Sequence, residues 1–309
     1  MTSLTHRKGA PPQLAALIPL VTDSVPSANG KKVYEGALNR FFEWYSRLEH
    51  PHTFAKALVN KYIQELLKTQ KSPSTINQAL TVIRRLADEA HDAQLLDTRT
   101  RDAIMRIKPL KRLGRRTGRW LSETEAASLI HKPDLNGLKG KRDRVLLGLL
   151  VECGLRREEA ITLNVDQFQV RKNRHLFADV KGKGGRIRTV PVPAPCARRI
   201  QDWIDAAGLT EGRLLRRIGK NGKLAGDSLT APGVYKAVRE YAESMGLKIA
   251  PHDLRRTFAQ LAHGKNARLE QIQHTLGHES IRTTEIYLGL QLDLDNAACD
   301  AFDLEQENK

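Results

Sequence analysis

The sequence predicts a mainly α protein, α+β in class, with a helical N-terminal domain followed by a mixed domain that holds one small antiparallel sheet. Three observations predict it. Apolar residues in the first third recur at steps of three and four, the period of a helix with one buried face. A single stretch, residues 167–193, changes to strand-like patterning around a glycine turn. Between these regions lies a basic, acid-free segment broken by Pro109, Gly114 and Gly118.

Residues 1–19 are expected to form an N-terminal extension. Arg7 and Lys8 precede a short apolar run at 14–20, but Pro19 interrupts it, and it is too thin for a signal peptide. A helical domain is expected over 20–108. Tyr34, Leu38, Phe41, Phe42, Tyr45 and Leu48 lie on one helical face; Phe54, Leu58, Tyr62, Leu66 and Leu67 lie on a second. Ile76, Leu80, Ile83 and Ala87 make a third after the start signal Ser72-Pro73, and a short fourth helix is expected over 99–107. Because the aromatics share the buried stripe, they read as core and not as base-stacking platforms.

Residues 109–119 read as a basic linker. Arg106, Lys108, Lys111, Arg112, Arg115, Arg116 and Arg119 crowd this region without an acid among them. Charge so one-sided reads as a strap lying along phosphates, with a solvated hinge as the plainer alternative. The second domain, 120–309, opens with Ser122-x-x-Glu125, a capping box. Helices are expected over 142–153 and 156–163. Strands follow around Phe168 and Val170, around Leu176, Phe177 and Val180, and around Ile187, Val190 and Val192, with Gly182-Lys183-Gly184-Gly185 as the turn between the last two. Beyond Pro195 the chain again reads as mostly helical.

The chain holds 51 basic and 35 acidic residues, a net charge of +16. Such an excess points to a polyanionic partner, with nucleic acid ahead of an anionic membrane surface. No apolar stretch of about 18 residues is present to span a membrane, and a cytoplasmic protein is expected. Cys153, Cys196 and Cys299 are odd in number and widely spaced, so they are read as small buried hydrophobes and not as a disulfide or zinc framework. No phosphate-binding G-x-x-x-x-G-K-[ST] loop and no metal-ligand spacing occurs, so cationic side chains would have to neutralise any phosphate in the chemistry.

Such side chains cluster in three segments: Gly154-Leu155-Arg156-x-x-Glu159, His252-x-x-Arg255, and Leu276-Gly277-His278-x-x-x-x-Thr283-Thr284-x-x-Tyr287. An arginine after a glycine turn at a helix start projects into a cleft. His252 and Arg255, three apart, share a helical face. With a lysine in the hairpin between the first and second segments, Lys183, this order resembles the tyrosine recombinase (phage integrase) family. The resemblance covers residues 120–290 by motif, and the helical first third only in kind. Gly289 stands where many members carry a second histidine.

The resemblance implies a core DNA-binding domain and a catalytic domain that form a clamp round double-stranded DNA. It implies cleavage and rejoining through a 3′-phosphotyrosine, with no cofactor, no metal and no ATP. Arg156 and Arg255 would fork N–H donors onto the non-bridging phosphate oxygens, where lysine would fit poorly. Tyr287 would be the nucleophile, and His252 would manage its proton. His278 would hydrogen-bond the phosphate. Lys183 would protonate the leaving 5′ oxygen, with Lys181 as the alternative lysine. Glu159 reads as a structural partner of its helix. His263 and His274 fit no segment.

Strand exchange implies a homo-tetramer on two DNA sites, a Holliday junction, and the integration, excision or resolution of a mobile element or replicon. The acidic tail, with Asp293, Asp295, Asp300, Asp303, Glu305 and Glu307, reads as a helix packed on its own domain or docked on a neighbouring subunit. Two rival readings stay open: a type IB topoisomerase that relaxes DNA, and a DNA-binding regulator without catalysis.

Overall fold

The computed structural model describes residues 12–49, 52–111 and 119–288. The chain divides into two compact units, Met1–Arg115 and Arg116–Lys309.

In the first unit, α1 (Pro12–Ala15) and α2 (Ile18–Asp23) precede α3 (Ala28–Tyr45), α4 (Lys56–Lys68), α5 (Pro73–Asp92) and α6 (Thr98–Met105). Side-chain caps set three of the starts. Ser27, Ser72 and Asp97 accept the backbone N–H of Gly30, Thr75 and Thr100 at 3.0, 3.2 and 2.9 Å. The helical stripes then converge. Leu38, Phe41, Phe42 and Tyr45 of α3 pack with Phe54, with Leu58 and Tyr62 of α4, and with Ile76, Leu80, Ile83 and Ala87 of α5 in one buried cluster. Phe41 meets Tyr62 edge-on at 5.1 Å and Phe54 at 6.1 Å, so these rings are core. Leu67 is the exception, and its side chain is exposed.

The cluster reaches further along the chain at both ends than periodicity reveals. Leu14, Leu17 and Val21 are buried in it, so the core begins before residue 20. At the other end Asn77 donates to the Leu110 carbonyl at 2.9 Å and accepts the Leu110 N–H at 2.8 Å, and Arg84 donates to the Ile107 carbonyl. The backbone at 107–110 is therefore pinned to α5 although no regular element covers it.

The second unit opens with α7 (Glu123–His131). Ser122 accepts the Glu125 N–H at 3.2 Å and Glu125 accepts the Ser122 N–H at 2.9 Å, the reciprocal cap its sequence predicts. Next come α8 (Leu138–Val151), α9 (Arg157–Thr162), β1 (Phe168–Arg171), β2 (Arg174–Lys181), β3 (Ile187–Pro191) and α10 (Ala194–Ala207). A small hairpin, β4 (Arg217–Ile218) and β5 (Leu224–Gly226), leads to α11 (Ala231–Glu243), α12 (Pro251–Gly264), α13 (Leu269–Leu276) and α14 (Ile281–Leu288).

The sheet is antiparallel in the order β1-β2-β3, with Phe168 opposite Phe177 and Phe177 opposite Val190. A bulge between Phe177 and Val180 shifts the register, and Gln167 donates to the freed carbonyls of Ala178 and Asp179 at 2.9 Å each. On β3 the inward face is Arg188 and Val190; Ile187 faces out at 61% exposure, although it reads as a core position in the sequence. The β4–β5 hairpin also escapes the sequence, because its strands are short, mostly exposed and show no alternation; the Asn221-Gly222 pair, with φ +75° at the glycine, is its one local signal.

Helix α8 is buried nearly all round through Val145, Leu146, Leu147, Leu149, Leu150 and Val151, and it is the centre against which α7, α10 and α12 pack. Cys153 and Cys196 are buried thiols in the same core. Among the described residues no helix is long and apolar enough to cross a membrane.

Trp203 of α10 is fully buried and donates Nε1–H to the Leu214 carbonyl at 2.8 Å. Trp203→Ala is expected to lower the second unit's stability by about 3–5 kcal/mol. The check is a denaturant midpoint followed by circular dichroism; a loss of about 1 kcal/mol or less would mean the core closes over the gap.

Candidate active site

The three motif segments meet in the second unit. Three residues past the end of α8, Gly154 takes a left-handed φ of +60°, and the Leu155 N–H returns to the Leu149 carbonyl at 3.1 Å, so the chain turns sharply ahead of Arg156. A Cβ on Gly154 would lie 2.7 Å from the Phe258 ring, so a side chain there would push α12 away. Arg156 follows in extended backbone, immediately before α9. The Glu159 carboxylate accepts its backbone N–H at 2.8 Å and its Nη1–H at 2.7 Å.

His252 and Arg255 lie in the first turns of α12. Pro251 starts the helix, and Asp253 accepts the Ala250 N–H at 2.9 Å. Arg156, His252 and Arg255 line one cleft of about 350 Å³, together with Leu155, Pro251 and Tyr235. Arg255 is only 1% exposed. Its Nη1 donates to the Gly154 carbonyl and its Nη2 to the Leu276 carbonyl, so one guanidinium ties the first segment to the third. These bonds take one N–H from each terminal nitrogen of a five-donor group.

The third segment begins where α13 stops at Gly277, φ +62°. His278 is half-buried, and its Nδ1 lies 3.0 Å from the hydroxyl of Thr284, a fully buried threonine of α14. Leu288 of α14 is buried against Ala259, Ile272 and Leu276, and its carbonyl accepts from Gln260 at 2.8 Å. Helix α14 is thus held at Thr284 and at Leu288, on either side of Tyr287 in sequence. The side chains of Tyr287 and Lys183 lie outside the described residues. Lys183 follows Gly182 in a hairpin whose Gly184 and Gly185 take φ of +77° and +78°, values that favour glycine. Lys181 is exposed at the end of β2.

Glu159 is 3% exposed and collects the cations. Arg188 of β3 grips both its oxygens, Nη1 to Oε1 at 3.0 Å and Nη2 to Oε2 at 2.8 Å, and Arg255 Nη1 stands 3.8 Å away. Burial alone would raise this carboxyl's pKa, but the hydrogen bonds from Arg188 and from Arg156 outweigh it and hold the pKa at about 2. The imidazoles respond oppositely. Desolvation, then Arg255, Arg156, Arg188 and His252, press His278 down to about 4. Partial desolvation, then Arg255 and Arg256, hold His252 below its ordinary value, with Asp253 opposing. Both rings are therefore neutral near pH 7.

Sequence reasoning passed over Arg188. Its signal was the inward face of β3: counting back by twos from Val192 and Val190 arrives at Arg188 and not at Ile187. Of the basic segment, Arg106, Lys108, Lys111 and Arg119 are exposed, and Arg119 pairs with Glu125 at 3.1 Å. Arg112, Arg115, Arg116 and the acidic tail lie outside the described residues, as does Gly289.

The profile of the phage integrase family matches residues 119–292, more than half of the chain. The tyrosine recombinase XerD of Lacticaseibacillus casei is 29% identical over 270 residues, 83% of this chain and 86% of the relative. The tyrosine recombinase XerC of Thermodesulfovibrio yellowstonii is 25% identical over 277 residues, 86% of this chain and 87% of the relative. Among solved structures, the XerH site-specific recombinase in a pre-cleavage complex with its difH substrate superposes with a TM-score of 0.70 at 23% identity, over 96% of this chain and 84% of that one. The Tn1549 transposon integrase in complex with circular intermediate DNA gives 0.69 at 15% identity, over 94% of this chain and 98% of that one. With its first two motif segments lining one cleft and the third tied to them through Arg255, the chain belongs to the phage integrase family of tyrosine-type site-specific recombinases.

Proposed function

We propose that this recombinase cleaves and rejoins double-stranded DNA through a 3′-phosphotyrosine on Tyr287. The observation that carries the reading is the cleft shared by Arg156, His252 and Arg255, with α14 anchored on the same helix that bears the last two. A phosphodiester gains negative charge as a nucleophile adds in line, and fixed donors aimed at that charge are usually the largest catalytic term. Arg156 and Arg255 take the non-bridging oxygens. His278, neutral and steadied by Thr284, adds a hydrogen bond. A phenol with a pKa of about 10 is a weak nucleophile, and neutral His252 accepts its proton.

The Tyr287 oxygen bonds to phosphorus as the bond to the 5′ oxygen breaks, and Lys183 gives that oxygen a proton. The phosphotyrosine keeps the bond energy. A 5′-hydroxyl from another strand then attacks it, releasing the tyrosine. Two such exchanges, through a Holliday junction, need four protomers on two DNA sites, and the task is the integration, excision or resolution of a mobile element or replicon. Both units contact the duplex. Arg106, Lys108, Lys111, Arg112, Arg115, Arg116 and Arg119 lie along its phosphates, and the acidic tail docks on a neighbouring subunit. Acting on DNA, the protein works in the cytoplasm. The DNA-bound state of the XerH and Tn1549 structures supports the partner.

The direct test captures the intermediate. Purified protein is incubated with nicked fragments of the genome that encodes it, and protein-linked DNA is recovered under denaturing conditions and sequenced. Wild type is expected to yield adducts at a recurring site and Tyr287→Phe none. Bound DNA without any wild-type adduct would sink the reading, and an adduct undiminished in Tyr287→Phe would assign another nucleophile. On a duplex of the mapped site, Arg156→Ala is expected to slow single-turnover cleavage by about 10²–10³-fold. Arg255→Ala should cost at least as much, since it also frees two buried carbonyls; rates near wild type would contradict the phosphate clamp. The cleavage rate should rise with pH through a pKa below 6.5 as His252 loses its proton, and this acidic limb should vanish in His252→Gln. An unchanged limb would pass the role to another group.

A further inference from the structure

Arg188 spends all three guanidinium nitrogens inside the protein. Two grip Glu159, and Nε donates to the Thr275 carbonyl at 2.9 Å, three residues before His278. Its side chain is 12% exposed and that of Glu159 is 3% exposed, so the pair is largely out of water. A buried ion pair contributes little net stability over an apolar pair of the same shape, so its presence calls for a geometric reason. That reason lies in what touches it. An ideal Cβ on Gly182, the residue before Lys183, would stand 3.3 Å from Arg188 Nη1 and 3.4 Å from Glu159 Oε1. An ideal Cβ on Gly277, the residue before His278, would stand 3.1 Å from Arg188 Cδ and 3.2 Å from its Nε and Nη1. Thus the glycine ahead of the hairpin lysine and the glycine ahead of the motif histidine both pack on one guanidinium, while the carboxylate it grips holds Arg156.

We propose that Arg188 is a positioning residue for strand cleavage: it locks the base of the Lys183 hairpin and the Gly277-His278 turn onto the Glu159 carboxylate, and so sets where the leaving-group acid stands. It works through Lys183 and touches no phosphate. The assignment rests on the reading of Lys183 as that acid. A planar fork is required, because a lysine at this position keeps the charge but reaches only one carboxylate oxygen at a time and drops the bond to Thr275.

The test separates leaving-group protonation from the rest of catalysis. Single-turnover cleavage is measured on two duplexes of the mapped site, one with the ordinary 5′ bridging oxygen and one with sulfur in its place. Sulfur departs as a thiolate and needs no proton. Lys183→Ala is expected to lose at least about 100-fold on oxygen and to recover most of it on sulfur. Arg188→Gln and Arg188→Lys are expected to lose at least about 10-fold on oxygen, with most of the loss recovered on sulfur. Arg156→Ala should be equally impaired on both. Gly182→Ala crowds the pair without removing a charge and should repeat the Arg188 pattern; it serves if Arg188→Gln leaves Glu159 buried alone and the protein fails to fold. Arg188 variants that cleave oxygen like wild type, or that are equally slow on both substrates while folded and DNA-bound, overturn the proposal. A Lys183→Ala defect that sulfur does not relieve removes the acid role of Lys183 itself, whereas relief of Lys183→Ala but not of the Arg188 and Gly182 variants removes Arg188 alone.

Discussion

The site depends on one buried carboxylate. Glu159 accepts the backbone and side chain of Arg156, takes both terminal nitrogens of Arg188, and lies 3.8 Å from Arg255. Without it three guanidinium groups would crowd a partly buried space, where like charges repel more strongly than in solution. With it they hold fixed directions. A carboxyl whose folded pKa is depressed from 4.5 to about 2 contributes stability that is complete above the unfolded value and drains away as pH falls through the folded one. The cluster is thus intact throughout the neutral range.

One anion among three guanidiniums still leaves the cleft positive. That residual field has two consequences. After desolvation, it is the next cause that depresses both imidazoles, so His252 and His278 stand ready as neutral donors or acceptors. It also makes the cleft attractive to an anion. The alignment of these cations is built during folding, through Glu159 and the carbonyls that hold them.

The backbone serves the same end. Gly277 ends α13 and Gly154 turns the chain after α8, both in the left-handed conformation, and the carbonyls of Gly154 and Leu276 both receive the Arg255 guanidinium. Three stretches far apart in the chain, near residues 155, 255 and 277, are thereby held to one side chain that is itself nearly inaccessible. The sheet contributes through the inward face of β3, which brings Arg188 to the same carboxylate and leaves the hairpin tip beyond it.

The helical stripes of the first unit, the capping box at Ser122, the strand region and its glycine turn were legible because each follows from local period or local backbone need. The three motif segments were legible too, since residue order and spacing survive without coordinates. Other features were not. Leu14 and Leu17 enter the core through contacts with distant helices, and Leu110 is pinned by Asn77 across 33 residues. Arg255 reads in the sequence as sharing a helical face with His252, but its near-complete enclosure and its bonds to two carbonyls show only in the structure. Arg188 looks like one more basic residue in a basic protein. Sequence alone determined which residue types gather and in what order, because helix period, turn chemistry and motif spacing act over a few residues. Tertiary structure alone decided that Glu159 is their common partner, because a buried charge is satisfied only by groups that folding brings within about 3 Å of it.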